Sequence, residues 1–171
     1  MNKKGFSLIE LLAVLVILSI LMLVAIPAIQ RYIENSRRDT YISTLAEYVN
    51  AVRHADAGGY LKPAEGATTT CNSGTYYVEF HTATDGLLES GGKSPYDRSK
   101  GIDGYVQIKV DSATHNHSYK VIATDNAKHG LSDYVNADTM SRGDISDSTS
   151  NFANINKPAT DLCAVNINNS K

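Results

Sequence analysis

A chain of 171 residues, 42% hydrophobic and 20% charged, has room for one ordinary domain and a small or elongated second module, not for two large ones. Its formal net charge of -2 creates no field that would draw nucleic acid, and neither a zinc-finger nor an RNA-binding signature accompanies it. The averages hide an uneven chain, because the greasiest residues gather between Leu8 and Ile29.

The first element is read from that gathering. Met1 to Gly5 is short, polar and basic through Lys3 and Lys4; from Leu11 to Ile29 the sequence LLAVLVILSILMLVAIPAI carries no charge, and Ser19 is its only hydroxyl. As a helix this run reaches about 28 Å, close to the hydrocarbon thickness of a bilayer. The preceding lysines favour a cytoplasmic N-terminus, with everything after the span outside. An ordinary secretory signal fits less well: the run is longer than a usual apolar region, although Ala25 to Ala28 imitates a small-residue cleavage site. Glu10 is the misfit, a lone carboxylate at the border of an apolar helix, where it needs a partner, water or a proton.

The segment Lys4-Gly5-Phe6-Ser7-Leu8-Ile9-Glu10-Leu11-Leu12 resembles the processing site of type IV prepilins and type II secretion pseudopilins. The resemblance implies that a membrane-bound aspartic prepilin peptidase cuts between Gly5 and Phe6 and N-methylates the new terminal Phe6. It implies that Glu10 guides assembly by pairing with the amine of a neighbouring subunit. It also implies partners: further copies of the chain in a helical fibre, minor pilins, and an assembly platform with its ATPase. The precursor would cross the cytoplasmic (inner) membrane once, and the product would be an extracellular pilus or an envelope-spanning pseudopilus. Physical chemistry agrees with this set of roles. Cleavage frees a cationic amine, Glu10 supplies the opposite charge, and an unpaired buried charge is costly enough for the pair to select register. Gly5, without a Cβ, lets a peptidase approach the backbone closely.

Beyond Ile29, QRYIENSRRDTYISTLAEYVNAVRHAD lacks proline and glycine and continues the helix. Ile42, Leu45, Val49 and Val52 form an apolar stripe that needs a partner surface, and Gly58 with Gly59 provides the stop. Pro27 removes one helical hydrogen bond and clashes with the preceding turn, which predicts a kink. The division expected is a leader over 1–5, a long helix over 6–57 (6–29 for membrane and fibre core, 30–57 for packing on the head) and a β-rich head over 58–171. Arg31, Arg37 and Arg38 read as boundary residues that pair with Glu34 or Asp39, not as phosphate contacts.

In the head, 58–74 reads as a connecting loop. Thr75 to Phe80, Tyr105 to Val110 and Tyr119 to Thr124 read as strands, with Val106, Ile108 and Val110 facing the core and Tyr105, Gln107 and Lys109 facing out. A polar loop over 85–104, docked by Leu87 and Leu88, and a hairpin turn over 111–118 separate them. Leu131 to Val135 and Leu162 to Ile167 are weaker strands, and the Ser/Asp/Asn-rich connection 136–156 is expected to bury little apolar area. The fold class is α+β, one long N-terminal helix on a small antiparallel sheet. Cys71 and Cys163 either close a large loop outside the reducing cytosol or remain two separate thiols.

No catalytic, metal or cofactor chemistry is legible. His115 and His117 sit two apart and His81 and His129 lack a companion ligand set, so these read as exposed structural histidines; Asp97, Asp103 and Asp111 lack EF-hand spacing. No phosphate-binding loop or nucleophile elbow occurs. Asn116-His117-Ser118 fits a glycosylation pattern in an accessible loop. The reading is a structural subunit polymerising into a surface fibre for adhesion or motility. The alternatives are a pseudopilin of a secretion or competence system and a monomeric membrane-anchored adhesion module.

Overall fold

The computed structural model describes residues 5, 7–64, 71, 74–88, 92–147, 155 and 162–165. Its elements begin with one helix, α1 (Leu8–Ala57), followed by strands β1 (Leu61–Pro63), β2 (Thr75–His81), β3 (Asp103–Val110), β4 (His117–Thr124), β5 (Gly130–Leu131) and β6 (Val135–Asn136). A 3₁₀ turn (Arg142–Asp144), β7 (Ile145–Ser146) and β8 (Leu162–Val165) follow among the described residues. The chain divides into two compact units, Met1–Ser36 and Arg37–Lys171.

In the first unit the helix is nearly all apolar and nearly all exposed, with large side chains such as Leu8, Leu15, Leu23, Val24 and Ile29 turned to the surroundings. Ser19 keeps its hydroxyl satisfied by donating to the Leu15 carbonyl at 2.8 Å. Pro27 lies inside the assigned helix.

The second unit is a helix packed on a mixed sheet. Tyr41, Leu45, Tyr48, Val49, Val52 and Ala55 are buried, at spacings that return to one face of α1. That face meets Tyr76, Val78 and Phe80 of β2, Val106 and Ile108 of β3, and Val121 and Ala123 of β4. The expected stripe is present, but its largest members are two tyrosines, while Ile42 is only half-buried. β2 alternates buried and half-exposed residues, as a strand with one covered face must.

The sheet order is β1-β8-β2-β3-β4-β5-β7, with β6 pairing separately to β4. All pairs are antiparallel except β2 with β8, which are parallel through Tyr77↔Leu162 and Val78↔Cys163. The last strand therefore lies between β1 and β2. Gly104 on β3 lets β4 come close: a Cβ there would stand 2.1 Å from the Ile122 carbonyl oxygen and 2.8 Å from Phe80 Cζ.

Several readings of the sequence need correction. The stretch 58–74 contains β1, which owes its existence to pairing with β8 rather than to local propensity. Leu131 to Val135 is not one strand but the ends of two, because β5 and β6 pair with different parts of β4. Tyr105 does not face solvent: it is fully buried with Ile122 and Ile155 on the sheet face away from α1, beside Tyr134 and Leu162. The 136–156 connection contributes Ile145 and Ile155 to the interior, since both faces of the sheet take apolar cover. Leu88 is buried and Leu87 packs on the same cluster, as expected of that loop. Residues 166 and 167, at the end of the expected last strand, lie outside the described residues.

The C-terminal end of α1 is fastened twice. Gly59, at φ +69°, carries the left-handed residue that ends the helix; Tyr60 N–H donates to the Ala55 carbonyl at 2.8 Å and Gly59 N–H to Asp56 at 3.0 Å. Asp56, its side chain only 4% exposed, accepts from Tyr76 on β2 and Tyr119 on β4, each at 2.7 Å, and meets His117 Nδ1 at 2.5 Å. One carboxylate thus ties the helix to two strands that flank β3. Arg53 lies over the Tyr119 ring at 4.8 Å and pairs with Asp138.

Candidate functional site

The residues singled out at the N-terminus sit where helix α1 begins. Gly5 is exposed, and a Cβ there would meet nothing within 4 Å. Phe6 lies outside the described residues. Ser7 and Glu10 close a reciprocal cap: the Ser7 N–H and hydroxyl donate to Glu10 Oε2 at 2.8 and 2.9 Å, and Glu10 N–H donates to Ser7 Oγ at 3.3 Å. A carboxylate in the first helical turn is also favoured by the helix dipole. The sequence suggested a neighbouring subunit's amine as the partner of Glu10 and did not point to Ser7. The signal was present, since Ser-x-x-Glu before an apolar run is the capping-box pattern. The consequence is geometric: the carboxylate is folded back toward the main chain at residue 7.

After that cap the helix offers an apolar surface without any buried portion. Leu8–Ala57 contains an eighteen-residue window long and apolar enough to cross a membrane by length and composition, and none of that window is buried within the chain. Tyr32, at 76% exposed, and Ile33 extend the apolar surface past the span.

Arg37 and Arg38 find partners far along the chain. Arg38 reaches Asp147 through Nη2, at 2.7 and 2.8 Å to its two oxygens, and donates from Nη1 to the Ile145 carbonyl at 2.9 Å. Asp39 meets Arg142 at 3.4 Å, and Arg37 lies over the Tyr96 ring at 5.9 Å. These partners are more than fifty residues away along the chain, beyond the reach of helix-spacing arguments.

Cys71 and Cys163 form a disulfide, with Cα atoms 6.0 Å apart across 92 positions of sequence. It joins the segment before β2 to β8. Two of the histidines expected to be exposed are engaged inside the fold: His117 meets Asp56, and His129 meets the fully buried Asp125 at 3.0 Å while stacking on Tyr96 at 3.5 Å. His81 lies 3.1 Å from Asp103. Among the described residues no group of three or more His, Cys, Asp or Glu side chains is placed to hold a metal. Asp97 and Asp111 are held below the usual carboxylate range, Asp97 by the Ser99 hydroxyl and N–H and Asp111 first by the Thr114 N–H, as turn-forming acceptors.

Residues 1–26 match the prokaryotic N-terminal methylation motif. Two fimbrial proteins of Pseudomonas aeruginosa are each 32% identical to the chain over 107 residues, covering 62% of this chain and 66% of theirs. The alignment thus spans just under two thirds of those relatives' length. No solved structure matches the chain. A long N-terminal helix whose later turns pack on a mixed sheet is the α+β architecture of type IV pilins. The methylation motif, the fimbrial relatives and the apolar helix together support assignment of this chain to a prepilin/pseudopilin-like family.

Proposed function

We propose that the chain is a pilin that polymerises through the apolar first half of α1 into a type IV pilus on the bacterial surface, supporting adhesion or motility. The observation that carries this reading is the pairing of an unburied apolar helix with a single capped carboxylate at its start. A surface that large stays out of water only in lipid or against other copies. Before assembly the helix anchors the precursor in the cytoplasmic membrane. A prepilin peptidase removes residues 1–5 and methylates Phe6, and the platform, its ATPase and minor pilins act on the mature form. Pro27 bends the exposed helix so that successive subunits nest. The description of both relatives as fimbrial favours a pilus over a secretion pseudopilus.

Removal of the leader makes Phe6 the terminus, so the new amine lies one residue before Ser7 in the chain, and Ser7 holds the Glu10 carboxylate. Glu10 then exchanges Ser7 for the amine of a neighbour as helices stack, and a mismatched register leaves one charge unpaired. Two variants separate the steps. Gly5→Val blocks maturation: intact mass of membrane-extracted protein retains the leader, and recovery of a methylated chain starting at Phe6 would reject the cleavage assignment. Glu10→Gln is processed normally yet yields at least tenfold less sheared fibre, the size of effect expected when about 1.4 kcal/mol per contact is withdrawn; undiminished fibre would remove Glu10 from assembly.

A further inference from the structure

The segment between β6 and β7 reads Ser141-Arg142-Gly143-Asp144 and forms a single 3₁₀ turn at the surface. Its glycine is not needed by the fold. A Cβ at Gly143 would meet only Ser141 Oγ at 3.6 Å, an ordinary contact, and the residue is not among the left-handed glycines. Gly104 and Gly59 show the contrast, one required by a close approach and the other by its φ.

Of the flanking charges, Arg142 is exposed and Asp144 half-buried. Arg142 is 53% exposed and its partner Asp39 57%, so water screens their 3.4 Å contact and the pair contributes little. Asp144 accepts from the Ser141 N–H at 2.8 Å and from the Ser141 hydroxyl at 3.0 Å, both on Oδ2. These bonds fix the carboxylate through one oxygen, and Oδ1 is the atom an outside ligand would meet. Immediately after the turn Ile145 is buried and its carbonyl is held by Arg38, which also grips Asp147. The turn is therefore fixed at its base before any partner arrives, which lowers the entropic cost of docking.

We propose that Arg142-Gly143-Asp144 is a docking element for a cation-dependent adhesion receptor on animal cells. The matching pocket presents an acidic wall to the Arg142 guanidinium and a divalent cation with an open position to Asp144 Oδ1. Opposite charges two residues apart, with bare backbone between them, let such a pocket close without meeting a side chain. The biological setting rests on the surface display proposed above, but the contact itself does not need a fibre.

The test uses the full purified chain coated on plastic and washed free of detergent, with cultured fibroblasts in magnesium-containing buffer as probe. Attachment is expected, and it falls about tenfold or more with a chelator, with soluble Gly-Arg-Gly-Asp-Ser but not Gly-Arg-Gly-Glu-Ser, and in Gly143→Ala. That variant fits the turn, so its thermal unfolding should match the parent; Asp144→Glu, which keeps the charge and moves it, should lose attachment as well. Absence of attachment, attachment indifferent to chelator, or full attachment by Gly143→Ala overturns the proposal. Failure of fibre assembly would leave this assay unaffected, so the two readings fail separately.

Discussion

Asp56 shows what one side chain can contribute when three donors converge on it. It sits in the last turn of α1, where the helix dipole disfavours a negative charge, and it is nearly excluded from water. The phenols of Tyr76 and Tyr119 and the ring of His117 make that position tenable. Asp56→Ala leaves those donors without an acceptor in a buried place and is expected to cost about 2–4 kcal/mol. Tyr119→Phe removes one donor of three and should cost about 1 kcal/mol. Denaturant unfolding of the full chain in detergent checks both, and equal costs for the two would mean that Asp56 acts by packing alone. None of this was legible in the sequence, because the three donors lie 20 to 63 positions from Asp56. The residues proposed for cleavage and assembly could be named from sequence for the opposite reason: Gly5, Phe6 and Glu10 lie within six positions of one another.

At the level of elements, local pattern found the helix and the three long strands, since each carries its own periodicity. It failed where an element exists only through a distant neighbour. β1 is three residues ending in Pro63 inside a turn-rich stretch, and it is a strand because β8 arrives beside it. β8 in turn is held by Cys163 to Cys71. Within the chain-entropy model a loop of this size is worth about 4–5 kcal/mol, more than a four-residue strand supplies by pairing. Cys163→Ser is therefore expected to lower unfolding stability by roughly that amount, and reductant should bring the parent down to the variant. If the two still differ after reduction, the serine is disturbing packing rather than a crosslink. The exposed edge of β1 carries Lys62 and Pro63, and Arg38 occupies the Ile145 carbonyl on β7, so neither margin invites another strand.

For the whole molecule, the core of the second unit is unusually phenolic. Burial lifts the ionisation of Tyr41, Tyr48, Tyr76, Tyr105, Tyr119 and Tyr134 above the ordinary phenol range, and nearby carboxylates add to it: Asp85 at Tyr48, Asp56 at Tyr76 and Tyr119, Glu79 at Tyr105. The unfolded chain gives up these protons near pH 10, and the folded chain holds them to higher pH. More protons are then bound in the native state, so stability falls as pH rises. It is whole below about pH 10 and is lost above it. Tyrosinate absorbance of this set should appear together with the loss of near-ultraviolet circular dichroism; ionisation well before that loss would show the phenols to be open to water.

The place of β8 also governs when the fold can exist. Synthesis delivers residues in order, so α1, β1 and β2 emerge with a vacant slot between the two strands, and the piece that fills it comes after residue 161. Until it arrives, two backbone margins lie open, and a ribosome or translocase that stops early releases a product that cannot be completed. Closure by β8 thus serves as a late checkpoint: only a chain delivered past residue 165 seals its own sheet.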